Sequence, residues 1–312
     1  MKTKPSDKQT VLITGGAGFI GTNIAKSLLA QGHDVESIDI FTTSDNTGLD
    51  WPNHEVNIQN LEHTKRVIKH IDPDILIHAA AQTQVQTSVE NPVEDAHTNI
   101  LGTINVLEGL QHTKARKVIY LTTGGARYGE KDALPISEDA LPKPKAPYGI
   151  SKYAAEHYTR YYARKNGWQH TSLGFSNVYG PHDNPKSGRL IPVFITTYLQ
   201  GNAPTIYGDG EQTRDFLYVQ DIIQIIKSII KQDPPREFYN LSSNEQTSVN
   251  QIVDILEELT APKKTAVKGD ARSGGVRKSQ LDNTHAVNDF EFKPTPVEKG
   301  LEQTVKWFKE NT

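Results

Sequence analysis

The chain has 312 residues, no cysteine, and a formal charge of −3 from 34 basic and 37 acidic side chains. That length predicts two domains, at about 150 residues each. Without cysteine the protein cannot be a disulfide scaffold, use a thiolate nucleophile, or hold an iron–sulfur cluster or zinc through sulfur. The nearly balanced charge argues against a nucleic-acid-binding protein and against a polybasic membrane anchor.

Targeting and metal-binding patterns are also missing from the sequence. The first ten residues contain no apolar core of a signal peptide, and no run approaches the roughly 18 apolar residues of a membrane span. The 11 histidines show no paired ligand spacing. We therefore expect a cytoplasmic protein without a metal site, whose histidines lie at the surface or cap helices.

The first half of the chain alternates short β-branched runs with amphipathic segments, which predicts strands separated by helices. The predicted strands are Val11–Thr14, Val35–Ile40, Ile75–Ala79 and Lys117–Thr122, with a further apolar run at Thr171–Val178. The predicted helices are one that continues through Leu29, then Leu61–His70, Val93–Gln111 and Tyr148–Lys165. This order is typical of right-handed βαβ crossovers. The sequence therefore predicts an α/β fold with a Rossmann-like, doubly wound parallel sheet.

The character of the chain changes after about residue 178, where turn-forming glycine, proline and asparagine crowd together. Shorter helices are predicted at Arg189–Gln200, Gln220–Lys231, Val249–Leu259 and Pro296–Glu310. We predict a smaller C-terminal α/β substrate domain from residues 178–214 and 242–312, and a first domain from residues 1–177 and 215–241. The basic segment Lys263–Ser279 is predicted to be a mobile loop beside a site, or an ordinary solvated loop.

The glycine-rich turn Thr14–Gly21 directly follows the first predicted strand and opens a helix. Gly15 permits a tight turn, Gly18 removes a side chain where backbone approaches a pyrophosphate, and Gly21 allows close packing of helix on strand. The N-terminus of the helix presents free N–H groups and a positive dipole end. We therefore predict a dinucleotide site here, with a glycine turn that binds nothing as the alternative.

Asp39 ends the second predicted strand, downstream of the glycine-rich turn. A carboxylate at this place accepts hydrogen bonds from the adenosine ribose hydroxyls. Ile40 and Phe41 follow it, and neither side chain could hold a 2′-phosphate. The sequence thus favours NAD over NADP and makes the first domain an NAD-binding domain, although Asp39 could also be a plain turn residue.

Tyr148 and Lys152 begin a predicted helix at a spacing of four, so both side chains lie on one helical face. A tyrosine with an unperturbed pKa of about 10 is a poor base at neutral pH. A neighbouring ammonium group and a bound nicotinium cation stabilise the phenolate, which lowers that pKa. The two residues are therefore a candidate base and its activator, although this spacing also occurs in plain surface pairs.

Several motifs, in order, resemble those of the extended short-chain dehydrogenase/reductase family. They are TGGAGFIG at 14–21, HAAAQ at 78–82, LTTGGARYG at 121–129, YGISK at 148–152, SNVYGP at 176–181 and IYGDGEQTRDFLYVQD at 206–221. Within that family the chain is similar to the UDP-glucose 4-epimerase type of nucleotide-sugar epimerases. The resemblance implies that Tyr148 takes the proton from the sugar 4-hydroxyl, that Lys152 holds the nicotinamide ribose, and that Thr123 orients the proton.

The resemblance also implies binding residues. Besides Gly15, Gly18, Gly21, Asp39, Tyr148 and Lys152, it implies cofactor contacts from Phe19, Ile20, Asn57, Ile58, Ala79, Ala80, Ala81, Asn99 and Phe175. It implies substrate contacts from Thr123, Tyr148, Asn177, Arg189, Leu190, Tyr207, Arg214, Arg272 and Ser279. The guanidinium forks of Arg214 and Arg272 suit diphosphate oxygens. Ser279 would stand beside the sugar C2 substituent, where a small residue leaves room for an N-acetyl group.

By this resemblance we expect an NAD-dependent epimerase that inverts C4 of a UDP-hexose through a 4-keto intermediate. The expected substrates are UDP-glucose and UDP-galactose, and also UDP-N-acetylhexosamines. A homodimer paired through the helices at Val93–Gln111 and Tyr148–Lys165 is implied as well.

Two alternatives remain open for the function. One is another nucleotide-sugar enzyme, a 4,6-dehydratase or decarboxylase, and the other is a non-catalytic NAD-binding regulator. Dehydratases of the family carry Thr-Asp-Glu where this chain has Thr123-Gly124-Gly125, which argues against a dehydratase. The presence of both Tyr148 and Lys152 argues against the regulator.

Overall fold

The computed structural model describes residues 8–41, 49–131, 133–271 and 276–311, which form two compact units. The first unit comprises Met1–Gly129, Leu141–Gly174 and Ile223–Tyr239. The second comprises Glu130–Ala140, Phe175–Ile222 and Asn240–Thr312. Residues 130–140, 175–177, 215–222 and 240–241, which the sequence places in the first domain, cluster with the second unit. The assignment of the cofactor to one unit and of the nucleotide sugar to the other stays a prediction.

The described residues form strands and helices along the whole chain. The strands are β1 (Thr10–Thr14), β2 (Asp34–Asp39), β3 (Asn53–Glu55), β4 (Ile75–His78), β5 (Lys117–Thr123), β6 (Gln169–Phe175), β7 (Asn177–Tyr179), β8 (Thr205–Tyr207), β9 (Thr213–Arg214), β10 (Phe216–Tyr218), β11 (Phe238–Leu241), β12 (Thr247–Ser248) and β13 (Val267–Gly269). The helices are α1 (Phe19–Ala30), α2 (Leu61–Ile71), α3 (Val85–Glu90), α4 (Pro92–Ala96), α5 (Gly102–Leu110), α6 (Gly125–Tyr128), α7 (Pro147–Asn166), α8 (Leu190–Leu199), α9 (Val219–Lys231), α10 (Val249–Thr260), α11 (Thr284–Phe290) and α12 (Val297–Asn311).

The main sheet has seven strands in the order β11-β6-β5-β4-β1-β2-β3. β1 pairs in parallel with both β2 and β4, and β4 pairs in parallel with β5. The chain therefore winds outward in one direction through β2 and β3 and in the other through β4, β5 and β6. This confirms the predicted Rossmann-like sheet. In such sheets ligands bind at the carboxyl ends of the strands where the winding reverses, which here lies between β1 and β4.

Buried apolar residues and local end signals explain these elements. The core of the sheet is built by fully buried Leu12, Leu76 and Val118, one from each of three neighbouring strands. α7 begins with Pro147 in its first turn, where no N–H is needed, and is capped by Gly167, whose φ of +71° suits a left-handed cap. The start of the helix that carries the candidate base is thus determined locally.

The structure differs from two of the predicted elements, one in each unit. The predicted helix Val93–Gln111 is present, but a π-helical segment at His97–Leu101 interrupts it between α4 and α5. Such segments lie frequently at functional sites. The predicted loop Lys263–Ser279 contains the short strand β13, which pairs with β8, and its residues 272–275 lie outside the described residues.

The expectation that the histidines lie at the surface or cap helices is wrong for three of them. His33, His78 and His170 are each at most 9% exposed. Burial lowers the pKa of His78 and of His170 to about 3, so both are neutral core residues. Scattered histidines look alike in the sequence, because burial depends on strands that are far apart in the chain.

The second unit contains three small two-stranded pairings, β7 with β10, β9 with β12 and β8 with β13. Its buried acids hold loops in place: the Asp221 carboxylate accepts hydrogen bonds from the backbone N–H and hydroxyl of Thr295. No helix among the described residues is long and apolar enough to cross a membrane. In the same part of the chain, no three His, Asp or Glu side chains gather as metal ligands would.

Candidate active site

Two glycines of the turn between β1 and α1 are required by the protein's own backbone. Gly15 has a φ of +71°, and a Cβ placed on it would lie 2.8 Å from the backbone of Ala80. A Cβ on Gly21 would lie 2.1 Å from the Gly15 carbonyl oxygen. Any larger residue at either position would therefore displace the turn.

Gly18 differs from these two, because the fold itself hardly needs a glycine there. A Cβ on Gly18 would meet only the Gly15 carbonyl oxygen, at 3.3 Å. Gly18 is exposed and directly precedes α1, whose first half-buried residues are Phe19 and Ile20. The space that a side chain would fill thus lies at a helix N-terminus, where a pyrophosphate binds in dinucleotide folds. The geometry fits a dinucleotide.

Asp39 lies at the end of β2, beside this turn. Its carboxylate accepts hydrogen bonds from the backbone N–H groups of Ala17 at 3.0 Å and Phe41 at 3.3 Å. Burial raises the pKa of Asp39, and these N–H donors oppose that rise. A carboxylate has about four lone-pair sites, so oxygens remain free to accept ribose hydroxyls.

The other residues predicted to line the cofactor are less uniform. Ala79, Ala80 and Ala81 follow β4 directly and are half-buried, at the point where the winding of the sheet reverses. Ile58 is buried in the core, where its side chain packs against the glycine at position 102, and Asn57 is exposed. Phe175 is buried at the end of β6. Their contacts with a cofactor stay predictions.

A buried histidine connects the carboxyl ends of β1 and β4. The His78 ring lies 2.5 Å from Thr14 Oγ1 through Nδ1 and 2.8 Å from Thr103 Oγ1 through Nε2. The Thr103 hydroxyl donates to the carbonyl of Asn99, so it accepts from Nε2, and Nδ1 must accept from Thr14. Thr14 Oγ1 in turn accepts the N–H of Ala80 at 3.1 Å. This chain of bonds holds the alanine segment against the glycine-rich turn.

Asn99 lies in the π-helical segment and uses its whole amide inside the protein. Its Oδ1 accepts the N–H of Gln82 at 2.9 Å. Its Nδ2 lies within 3.1 Å of three acceptors: the Gln82 carbonyl, Asp95 Oδ1 and Ser151 Oγ. Asn99 thus ties the segment after β4 to α7. A contact with the cofactor stays a prediction, whereas this positioning task was not predicted.

Lys152 is only 3% exposed and lies inside the first unit. Its Nζ is 4.3 Å from the centroid of the Tyr120 ring and has no hydrogen-bond partner among the described residues. Burial lowers the pKa of Lys152 to about 7, while the carboxylates of Asp95 and Glu156 act to raise it. A buried ammonium donor that lacks such a partner fits a group that binds ribose hydroxyls.

Tyr148 is held at the start of α7 by backbone contacts. Its N–H donates to Ser88 Oγ at 3.1 Å, a contact that sequence reasoning missed. A Cβ on Gly149 would lie 2.6 Å from the carbonyl oxygen of Ala126, so α7 rests directly on α6, the short helix after β5. The N–H of Ala126 donates to Thr123 Oγ1 at 3.1 Å. The structure therefore brings the predicted hydroxyl residues Thr123 and Tyr148 to adjoining turns.

In the second unit, Arg214 is a half-buried guanidinium with no acidic partner among the described residues. Its Nη1 donates to the carbonyl of Thr213 at 2.7 Å, and burial lowers its pKa. The neighbouring acid, Asp215, is occupied by Ser243 and by the N–H of Leu281. A charge left unpaired in this way fits an anionic ligand such as a diphosphate.

Arg189 and Asn177 are used partly within the second unit. The Arg189 Nε lies 3.0 Å and 3.2 Å from the two oxygens of Asp183, which is 3% exposed. This pair holds the segment that leads into α8, which begins at Leu190. The Asn177 Nδ2 donates to the carbonyl of Asp215 at 3.3 Å. Their substrate contacts stay predictions.

The last predicted substrate residues lie in three different surroundings. Tyr207, at the end of β8, is 44% exposed. Arg272 lies outside the described residues. Ser279 is half-buried, and its hydroxyl has no hydrogen-bond partner in the part of the chain that the structure describes. The segment that contains Ser279 lies alongside Arg214. Two hydrogen bonds hold it there: the N–H of Thr213 donates to the carbonyl of residue 277, and the N–H of Leu281 donates to the Asp215 carboxylate.

Comparisons with known proteins agree with this geometry. The profile of the "NAD dependent epimerase/dehydratase family" matches residues 11–242. The UDP-glucose 4-epimerase of Thermotoga maritima, solved with UDP-glucose, is 35% identical and superimposes with a TM-score of 0.90, over 97% of this chain and 99% of that chain. The UDP-glucose 4-epimerase of Thermus thermophilus, solved with NAD, is 31% identical with a TM-score of 0.87, over 97% and 100% of the two chains.

A dehydratase is also among the relatives. The dTDP-glucose 4,6-dehydratase of Salmonella typhimurium is 30% identical over 340 residues, which cover 97% of this chain and 93% of that protein. The family profile nevertheless includes both activities and spans most of the chain. The glycine-rich turn, Asp39 and the buried Lys152 fit its cofactor. The chain therefore belongs to the NAD dependent epimerase/dehydratase family, within the extended short-chain dehydrogenases/reductases, and NAD is its cofactor.

Proposed function

We propose that this protein is an epimerase that inverts C4 of a UDP-hexose through a 4-keto intermediate. The observation that carries the proposal is the turn after β5. Thr123 ends β5 and supplies a hydroxyl, while Gly124 and Gly125 directly after it supply no side chain. Loss of the 6-hydroxyl as water, in a dehydratase, needs an acid and a base in addition to the tyrosine. The turn therefore favours epimerisation over elimination.

In the proposed reaction, NAD supplies a hydride acceptor and donor at the sugar C4. Tyr148 takes the proton from the 4-hydroxyl and later returns it, while Thr123 orients that hydroxyl. Lys152, one helical turn from Tyr148, stabilises the phenolate with its ammonium group. Its burial strengthens this effect, because charges interact more strongly away from water.

The nucleotide part of the substrate is bound by residues remote from the reacting carbon. The guanidinium of Arg214, which has no acidic partner in the described part of the chain, grips the diphosphate, and Asn177 and Tyr207 contact the nucleotide. Arg272 belongs to the same proposed set. Holding the UDP while the keto sugar turns lets one binding site serve both faces of the sugar, so binding energy is supplied by groups that do not react.

The proposed function is tested by incubating the purified protein with UDP-galactose, UDP-N-acetylgalactosamine and dTDP-glucose. Inversion at C4 of either UDP-sugar supports an epimerase. A 4-keto-6-deoxy product from dTDP-glucose would instead assign a dehydratase. If the NAD-bound protein formed no product from any of the three, the result would favour the alternative of a non-catalytic NAD-binding regulator.

Ser279 is proposed to determine which C2 substituents of the sugar the binding site accepts. Replacing it by tyrosine is expected to reduce kcat/KM for UDP-N-acetylglucosamine at least about 10-fold more than for UDP-glucose, because overfilling a fitted site costs about 1–3 kcal/mol. The neighbouring Gln280 is a poorer candidate, because its amide already donates to the carbonyl and side chain of Asn244.

The matched control is Ser279→Ala, which removes the hydroxyl without filling space and should leave the ratio of the two substrates nearly unchanged. Initial rates on both substrates measure the ratio. An equal loss on both after Ser279→Tyr would contradict a steric gate at this position.

We also propose that the protein is a homodimer paired through α4, α5 and α7. Large apolar side chains are exposed on these helices and on the π-helical segment between α4 and α5: Val93 is 70% exposed, Tyr161 59%, Ile150 52% and Leu101 48%. Ile150 and Tyr161 lie 11 residues apart on α7, which puts them on one side of the helix. Exposed apolar side chains that form a patch mark an interaction surface, and in the proposed dimer the partner covers them.

Glutamate at both Leu101 and Tyr161 is expected to give a monomer at micromolar concentration, because four charges would be buried in the paired interface. Light scattering of the purified proteins measures the mass. The control is Val267→Glu, which adds a charge at an exposed apolar residue of the second unit. A monomeric mass for the unaltered protein would contradict the dimer.

A further inference from the structure

α7 carries a row of polar residues along the face that begins with the proposed base. Tyr148, Lys152, Glu156 and Arg160 follow one another at intervals of four residues. Such spacing stacks side chains on one side of a helix. Within this row Lys152 is 3% exposed and Glu156 is not exposed at all. A carboxylate buried to that degree is costly unless it is paired and hydrogen-bonded.

Arg127 supplies that pairing from α6. Its Nη1 lies 2.5 Å from Glu156 Oε2. The guanidinium carbon is also 4.6 Å from the ring centroid of Tyr153 and 4.2 Å from that of Phe238. A planar cation that stacks on aromatic rings is held in one place. Arg127 is 8% exposed, so this pair is separated from water.

We propose that Arg127 is a positioning residue for the epimerisation, because it keeps Glu156 ionised and Glu156 in turn keeps Lys152 charged beside Tyr148. This inference rests on the proposed function, since it concerns the same base. Arg127 touches neither the sugar nor the cofactor in this scheme. It acts on the base through two intermediate charges.

The groups around Glu156 explain why its charge depends on Arg127. Burial raises the pKa of Glu156, whereas Arg127 and Arg160 lower it, and Lys152 lowers it further. Arg160 makes the weaker contact, with its Nη2 at 3.4 Å from Glu156 Oε1. Tyr120, on β5, also interacts with this carboxylate, and it stays neutral because burial raises its pKa. Without Arg127, burial of Glu156 would favour its neutral form.

The surroundings of Lys152 make it sensitive to that change. Its pKa is already lowered to about 7 by burial, and Asp95 on α4 and Glu156 are the charges that raise it. On the strand side it faces His78, which is neutral, and Tyr120. If Glu156 lost its charge, only Asp95 of these two carboxylates would still raise the pKa of Lys152. A larger share of Lys152 would then be uncharged at pH 7.

The test follows the phenolate of Tyr148 in the NAD-loaded protein. Near-ultraviolet absorbance is titrated with pH for each protein and for its Tyr148→Phe counterpart, and the difference reports Tyr148 alone. Arg127→Met is expected to move this titration, and with it the acidic limb of the kcat/KM profile, upward by about one pH unit, because a less charged Lys152 stabilises the phenolate less. The rate at neutral pH should fall about 10-fold accordingly.

Three further variants separate charge from stability. The double change of Arg127 and Glu156 to Met removes both charges together, which is often neutral for stability, and should show the same upward shift. Arg127→Lys keeps the charge and should keep the titration of the unaltered protein even if its melting temperature falls. Arg164→Gln removes a charge from an exposed position of α7 that contacts Glu237, not Glu156, and should shift nothing.

The proposal is overturned if the double variant titrates like the unaltered protein, or if Arg127→Lys shifts as far as Arg127→Met. The absorbance titration needs bound NAD but no turnover. A protein that shows these shifts yet inverts no UDP-sugar would therefore contradict the proposed function and leave the positioning role of Arg127 in place.

Discussion

Replacing Tyr148 by phenylalanine is expected to lower kcat for UDP-sugar epimerisation by about 10²–10⁴-fold, the usual contribution of a positioned acid–base group. The change removes only the phenolic oxygen, and the backbone N–H of residue 148 can still donate to Ser88 Oγ. The NAD content of the purified variant should therefore equal that of the unaltered protein. Product analysis gives the rate, and NAD released on denaturation gives the content.

The matched control for this variant is Tyr158→Phe. Tyr158 lies on the same helix but is 43% exposed, and removal of its hydroxyl should leave kcat nearly unchanged. If Tyr148→Phe kept close to full activity, another group would have to be the base. If it lost both activity and NAD, Tyr148 would have to act mainly in binding the cofactor.

Replacing Gly18 by alanine is expected to weaken NAD binding while the protein still folds. The added Cβ meets only the Gly15 carbonyl oxygen inside the protein, at 3.3 Å, but points into the space assigned to the pyrophosphate. Overfilling a fitted site costs about 1–3 kcal/mol, which is about 5–150-fold in Kd. Calorimetric titration of the NAD-free protein measures the affinity, and thermal unfolding measures the stability.

Gly21→Ala provides the contrast. Its Cβ would lie 2.1 Å from the Gly15 carbonyl oxygen, so the turn itself must shift and the melting temperature should fall even without cofactor. An unchanged NAD affinity of Gly18→Ala would place the pyrophosphate elsewhere. A loss of stability equal to that of Gly21→Ala would show that Gly18 serves the fold rather than the cofactor.

Local patterns in the sequence were sufficient to predict the parallel sheet, the glycine-rich turn with Asp39, and the placement of Tyr148 and Lys152 on one face of a helix. Each of these depends on residues a few positions apart: β-branched runs form strands, a spacing of four puts two side chains on one helical face, and glycine is the residue that a tight turn needs. Arg214 was implied as a candidate by the family resemblance, although only the structure shows that its charge has no acidic partner among the described residues.

Only the tertiary structure decided which polar groups are buried and what they contact. Three sets of contacts join parts of the chain that are far apart: the hydrogen bonds of Asn99 to the segment after β4, those of the buried His78, and the ion pair of Arg127 with Glu156. The i+4 spacing of Lys152 and Glu156 is visible in the sequence, but nothing local shows that Arg127 pairs with Glu156 and stacks on two aromatic rings. Burial sets the pKa of these groups, and burial follows from how the strands and helices pack, so the charge of the site could not be predicted from the order of residues alone.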